Sequence, residues 1–124
     1  MKNDIYEILK FRLDEESYTY EFEIIPVPPY EIIENNLSLE PYEYFGEINN
    51  ILGFRTKQVI LYFNADVLMK VEIKFSDNIT LELKEILENL NVSIPSIMFL
   101  KLYYLDAENE TVILYQKNIL NLLL

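Results

Sequence analysis

A chain of 124 residues, 51% apolar, with a net charge of −11 and neither cysteine nor histidine, can bury a core without covalent staples but lacks the side chains of much enzyme chemistry. Without Cys there is no disulfide, thiolate metal site or cysteine nucleophile, and without His there is no Ser-His-Asp relay and no ordinary zinc site. The N-terminus lacks a basic region followed by an apolar run, and no stretch reaches membrane-spanning length. The expectation is a cytoplasmic, single α+β domain over residues 1–124 with no membrane partner.

The first predicted element is a β-hairpin. Tyr6 to Leu13 leads through Asp14-Glu15-Glu16-Ser17 into Tyr18 to Ile25, where Tyr18, Tyr20, Phe22 and Ile24 alternate with Thr19, Glu21 and Glu23. Aromatic residues at a period of two mark a half-buried strand. Pro26, Pro28 and Pro29 end it, because proline donates nothing to a ladder. A short helical turn at 30–36 and a helix from Pro41 to Leu52 follow. The helix is read from proline in the first turn, Gly53 as a stop, and Tyr44, Phe45, Ile48, Ile51 and Leu52 on one face.

A second hairpin pairs Gln58–Phe63, apolar on both faces and so interior, with Val67–Phe75, which alternates apolar and polar. Ser76-Asp77-Asn78 offers caps for a helix over Thr80–Leu90, with Leu83, Ile86, Leu87 and Leu90 on its apolar face. A third hairpin joins Ile97–Leu105 to Thr111–Lys117, and the chain ends in an apolar tail, Ile119 to Leu124. The sum is a single mostly antiparallel sheet of about six strands, in three hairpins, with two helices packed on one face.

Charge is the main anomaly. Residues 1–50 hold 12 acidic and 3 basic side chains, and residues 51–124 hold 9 and 7. From Leu13 to Phe54 there is no Lys or Arg, yet ten carboxylates and five of the ten tyrosines lie there. Like charges repel, so stability does not explain their collection. They would instead steer a basic partner, with tyrosines as anchors. The blander alternative is that the carboxylates keep an apolar chain soluble while the tyrosines serve the core.

The candidate partner-binding residues are Glu15, Glu16, Tyr18, Tyr20, Glu21, Glu23, Tyr42, Glu43 and Tyr44. Direct nucleic-acid binding is not expected, since the ten basic residues are scattered. Phosphate-cradling loops are excluded by having only Gly46 and Gly53, and no calcium-loop pattern occurs. No cofactor and no metal is expected. Asp14-Glu15-Glu16 is the densest carboxylate group, but a solvated turn supplies none of the desolvation that acid–base work needs. The chain is therefore read as a non-enzyme. Pro26-Val-Pro-Pro-Tyr30 has the spacing of a polyproline ligand and more simply ends a strand.

The leading expectation is a small acidic inhibitor that docks on a basic protein, such as a nuclease or nucleic-acid-processing effector, and blocks it. An immunity protein or a phage anti-defence protein, with carboxylates standing in for phosphates, has this character. The second reading is a structural or accessory subunit assembling as a homo-oligomer through a sheet edge or the Leu-rich C-terminus. The third is a small-molecule binding domain with a Tyr- and Phe-lined pocket.

Overall fold

The computed structural model describes residues 2–118; the Leu-rich tail read above lies outside them. Its centre is an antiparallel sheet whose interior strand, β7, explains its own sequence. The strands in chain order are β1 (Asn3–Asp4), β2 (Ile24–Pro26), β3 (Ile32–Glu34), β4 (Leu37–Tyr44), β5 (Asn50–Ile51), β6 (Phe54–Arg55), β7 (Gln58–Asn64), β8 (Val67–Ser76), β9 (Val92–Ser93), β10 (Met98–Leu105) and β11 (Glu110–Lys117). The helices are α1 (Ile5–Leu9) and α2 (Thr80–Leu90).

The main sheet runs β10-β11-β8-β7-β4-β2, with β3 also on β4. Successive side chains of a strand point to opposite faces. Val59, Leu61 and Phe63 of β7 accordingly enter the main core, while Ile60 and Tyr62 enter a smaller cluster with Leu39 and Met69 on the other face. Ile5 and Leu9 of α1 and Leu83 of α2 join the main core, so both helices cover the same face. The predicted class, a mostly antiparallel sheet with two helices, is the one observed, with seven strands in the main sheet. None of the helices among the described residues is long and apolar enough to cross a membrane.

From residue 58 onward the elements fall where the periodicity places them: the β7–β8 hairpin, helix Thr80–Leu90, and the β10–β11 hairpin. The helix begins with Asn78 Oδ1 accepting from Thr80 N at 3.2 Å, and Ile79 N donates to Thr111 Oγ1 at 2.9 Å. This side-chain bond ties the helix start to β11.

The first half departs from expectation at four places, one of them residues 30–36, where strand β3 and a tight turn replace the expected helical turn. Residues 5–9 form a helix instead of a strand, because Asp4 accepts from Tyr6 N at 2.9 Å as an N-cap, and Ile5 and Leu9 one turn apart are both buried. The alternating aromatics at 18–24 are not a strand. Ser17–Tyr20 is a 3-10 turn, with Thr19 N bonded to Glu16 O, Glu21 N to Tyr18 O and Glu23 N to Tyr20 O. Tyr20 is therefore 5% exposed while Tyr18 and Phe22 are 69% and 85% exposed; a strand would have put all three on one face. Backbone bonds from Asp14 N to Leu68 O and from Leu68 N to Glu15 O fasten this segment to β8.

The last departure is Pro41–Leu52, which is not a helix. Its beginning belongs to β4, which pairs with β7 over residues 40–44. The first hairpin of the main sheet is consequently β3–β4, turning at Asn35 and Asn36, both at positive φ, as a tight two-residue turn requires. Pro41 is tolerated inside the sheet because β2 and β3 are interrupted beside it at residues 27–31. Its carbonyl still accepts Val27 N at 3.1 Å, so only the missing donor is lost. Leu52 and Gly53, both at positive φ, turn the small β5–β6 hairpin.

Candidate functional site

The sheet separates charge along its width. At one edge β2, β3 and β4 carry Glu34, Glu40 and Glu43 and no basic residue, whereas β8, β11 and β10 carry Lys70, Lys74, Lys101 and Lys117 against Glu72 and Glu110. The acidic stretch of the sequence thus becomes an acidic edge of the fold. The nine candidate residues do not all serve that edge.

Tyr20 and Tyr44 are core residues. Phe11 lies between them, its ring 4.9 Å from Tyr44 in an edge-on contact and 6.1 Å from Tyr20. Tyr42 is half-buried with its ring edge-on to Phe63 at 5.6 Å. Only the polar tips of the two buried rings reach outward, as a phenol in a core requires. Tyr20 Oη donates to Glu15 Oε1 at 2.9 Å, and Tyr44 Oη donates to Glu23 Oε2 at 3.3 Å. Burial first, and the Glu15 carboxylate second, push the Tyr20 hydroxyl above its ordinary pKa, and burial likewise raises Tyr44. Glu15 and Glu23 are thereby committed to holding buried tyrosines.

Glu43 points to the opposite face from Tyr42 and Tyr44. It accepts from Gln58 Nε2 at 3.0 Å and lines a hollow of about 400 Å³ with Pro28, Pro29, Ile60, Tyr62 and Lys74. Glu16, Tyr18 and Glu21 remain, all exposed and all in or beside the 3-10 turn. The structure brings these three together and separates them from Glu43.

Sequence reasoning named Tyr18 but missed the other exposed apolar side chains of the acidic stretch. Among the described residues, six of the ten exposed large hydrophobic ones are Tyr18, Phe22, Ile25, Tyr30, Ile33 and Phe45, inside the stretch that has no Lys or Arg. Phe45 N donates to Glu23 O at 2.8 Å, continuing the β2–β4 ladder and bringing the Phe45 backbone beside the one that carries Phe22. A signal was present: Asn35-Asn36 between two short apolar runs is a hairpin turn, and it would have placed Ile33 on an edge strand.

Gly46 fixes the geometry between the core tyrosine and its carboxylate. A Cβ at this position would overlap the Glu23 carboxylate and the Tyr44 hydroxyl and ring. Glu23 can swing away, but the Tyr44 ring is held by Phe11. Gly46→Ala is expected to destabilise the fold by about 1–3 kcal/mol, the usual cost of overpacking. The midpoint of urea unfolding would show it, and an unchanged midpoint would mean that the Tyr44 ring yields.

The chain matches no protein-family model, no curated protein and no solved structure.

Proposed function

We propose that the protein is an acidic protein-binding inhibitor that docks the surface formed by its 3-10 turn and the adjoining end of the β2–β4 ladder on a basic partner, of the kind formed by a nuclease or another nucleic-acid-processing effector, and blocks it. The observation that carries this reading is the set of exposed apolar side chains within the acid-only stretch, Phe22, Phe45, Ile25 and Tyr18 above all, interleaved with exposed Glu16, Glu21, Glu40 and Glu47. Protein interfaces combine apolar anchors with a polar rim, and a rim of one sign selects a partner of the other. Solubility alone would account for the carboxylates but not for phenylalanine among them. The reading requires no catalysis by this chain. The docking residues are Glu16, Tyr18 and Glu21 with Phe22 and Phe45; Glu15, Glu23, Tyr20 and Tyr44 act by shaping the surface behind them.

The two contributions separate experimentally. Glu16→Lys with Glu21→Lys should slow association with the partner and flatten its dependence on salt, while dissociation changes little. Phe22→Ala with Phe45→Ala should leave the salt slope in place and speed dissociation, each anchor contributing about 2 kcal/mol. The partner is recovered from native lysate at low salt on wild-type bait, and kinetics are measured on the purified pair together with the partner's activity. A partner bound equally by both double variants, or one whose activity is unaffected, removes this surface from consideration.

A further inference from the structure

At the far side of the sheet β10 is the last strand among the described residues. It is eight residues long, Met-Phe-Leu-Lys-Leu-Tyr-Tyr-Leu, contains no proline and bears one charge. Natural edge strands are usually short, interrupted or heavily charged, because an open edge is a template for another strand. The opposite edge obeys that rule: β2 and β3 are three residues each, and the segment between them contains Pro28 and Pro29. β10 does not.

The register shows which backbone groups of β10 turn away from β11 and have no strand beside them among the described residues. Asn118 N donates to Ile97 O, and the pairing continues as Phe99 with Gln116, Lys101 with Leu114, Tyr103 with Val112 and Leu105 with Glu110. In an antiparallel ladder, hydrogen-bonded pairs alternate with pairs that turn their backbone groups away. The amides and carbonyls of Leu100, Leu102 and Tyr104 therefore point out from the edge.

We infer that β10 pairs antiparallel with β10 of a second copy of this chain, about a two-fold axis at Leu102. A second copy suits the distribution of charge. The acidic edge lies at the other end of the strand order, so two copies joined at β10 keep their acidic edges far apart. On the β10 side the lysines of β8, β10, β11 and α2 are balanced by Glu72 and Glu110 together with Glu82, Glu85 and Glu88 of α2, so no net charge of these elements opposes pairing.

Charge also selects the register. Two alignments use nearly all of β10. One is centred on Lys101 and sets that ammonium directly against its copy, a destabilising pair. The other, centred on Leu102, pairs residues 99–105 and places Lys101 against Tyr103 of the second copy on the same face. Within one copy, Lys101 Nζ already lies 5.0 Å from the Tyr103 ring centroid, so the contact repeats an attraction the sequence uses. Beside the edge, Leu87, Val92, Ile94 and Leu100, together with Glu88 and Asn91, line a mostly apolar hollow that extends the surface available to such a contact. This inference is independent of the docking proposal, and a dimer would present two acidic edges at its ends.

Sedimentation equilibrium of the full chain should give twice the chain mass at high concentration and dissociation on dilution. Tyr103→Lys sets a new ammonium against Lys101 of the second copy twice per dimer and should weaken self-association at least tenfold. Adding Lys101→Glu restores opposite charges and should return the dimer. A wild type that stays monomeric, or a dimer indifferent to both changes, overturns the inference. Amide exchange needs no variant: protection at Leu100, Leu102 and Tyr104 should rise with protein concentration, and fast exchange there at every concentration refutes the pairing.

Discussion

Replacing Phe11 with alanine is expected to cost about 3–5 kcal/mol, a large share of the roughly 5–15 kcal/mol that holds a domain of this kind together. Phe11 is fully buried, its ring lies edge-on to Tyr44 and beside Tyr20, and its carbonyl accepts the Tyr115 hydroxyl. Losing the ring removes the contact surface of two tyrosines at once. Neither ring can close the gap, because Tyr20 is tied to Glu15 and Tyr44 to Glu23 and to Ile48 N. Phe11→Leu should recover the larger part of the loss by refilling the volume. Urea unfolding of the three proteins tests this. A loss below about 1 kcal/mol for the alanine variant would mean that the aromatic cluster collapses freely around the vacancy. Under the docking proposal the same variant should also weaken binding of the partner, since the turn that carries Glu16, Tyr18 and Glu21 rests on Tyr20.

The contrast between the two halves of the chain has a physical origin. In β7, α2 and β8 from Val71 onward each element's own period agrees with the face it buries, so local pattern and tertiary packing carry the same message. The start of β8 departs from its alternation: a register shift against β7 at Tyr62/Phe63 sets Leu68 in the main core and Met69 in the smaller cluster, the reverse of the expected faces. Gln58–Phe63 reads as interior and is interior; Leu83 reads as the inward residue of its helix and is fully buried. In the first half, the pattern is written by contacts remote in sequence. Tyr20 is inward because Phe11 and Phe63 receive it, and Tyr18 and Phe22, equally aromatic and in phase with it, are left outside. A five-residue helix such as α1 is too short to display a period, and its signal was one cap, Asp4. The candidate site shares this division. The acidic character of residues 13–54 was legible from composition, whereas the assignment of each tyrosine to core or surface depended on backbone turns that alternation cannot reveal.

Alkaline pH should unfold the protein cooperatively. Tyr20, Tyr62 and Tyr115 are buried phenols, and burial is the foremost cause raising all three above the ordinary value of about 10. Hydrogen bonding to Glu15 and Glu72 adds to the shift at Tyr20 and Tyr62. Below pH 10 these hydroxyls are protonated whether the chain is folded or not, so they impose no pH dependence. Above it the unfolded chain releases protons that the folded chain keeps, and stability falls as pH rises until the folded pKa values are reached. Each group contributes a slope of about 1.4 kcal/mol per pH unit, or about 4 kcal/mol for the three together. Growing negative charge on a chain already at −11 acts in the same direction. Stability should therefore be exhausted within about one to four pH units above 10. Tyrosinate absorbance of the buried set and loss of far-ultraviolet circular dichroism should change together in one transition. Tyr115→Phe should lower stability near neutrality, because the Phe11 carbonyl loses its donor, and reduce the alkaline slope by about a third. A steady rise in tyrosinate with the dichroism intact would mean that these hydroxyls reach solvent without unfolding, and the aromatic core would then be looser than its packing implies.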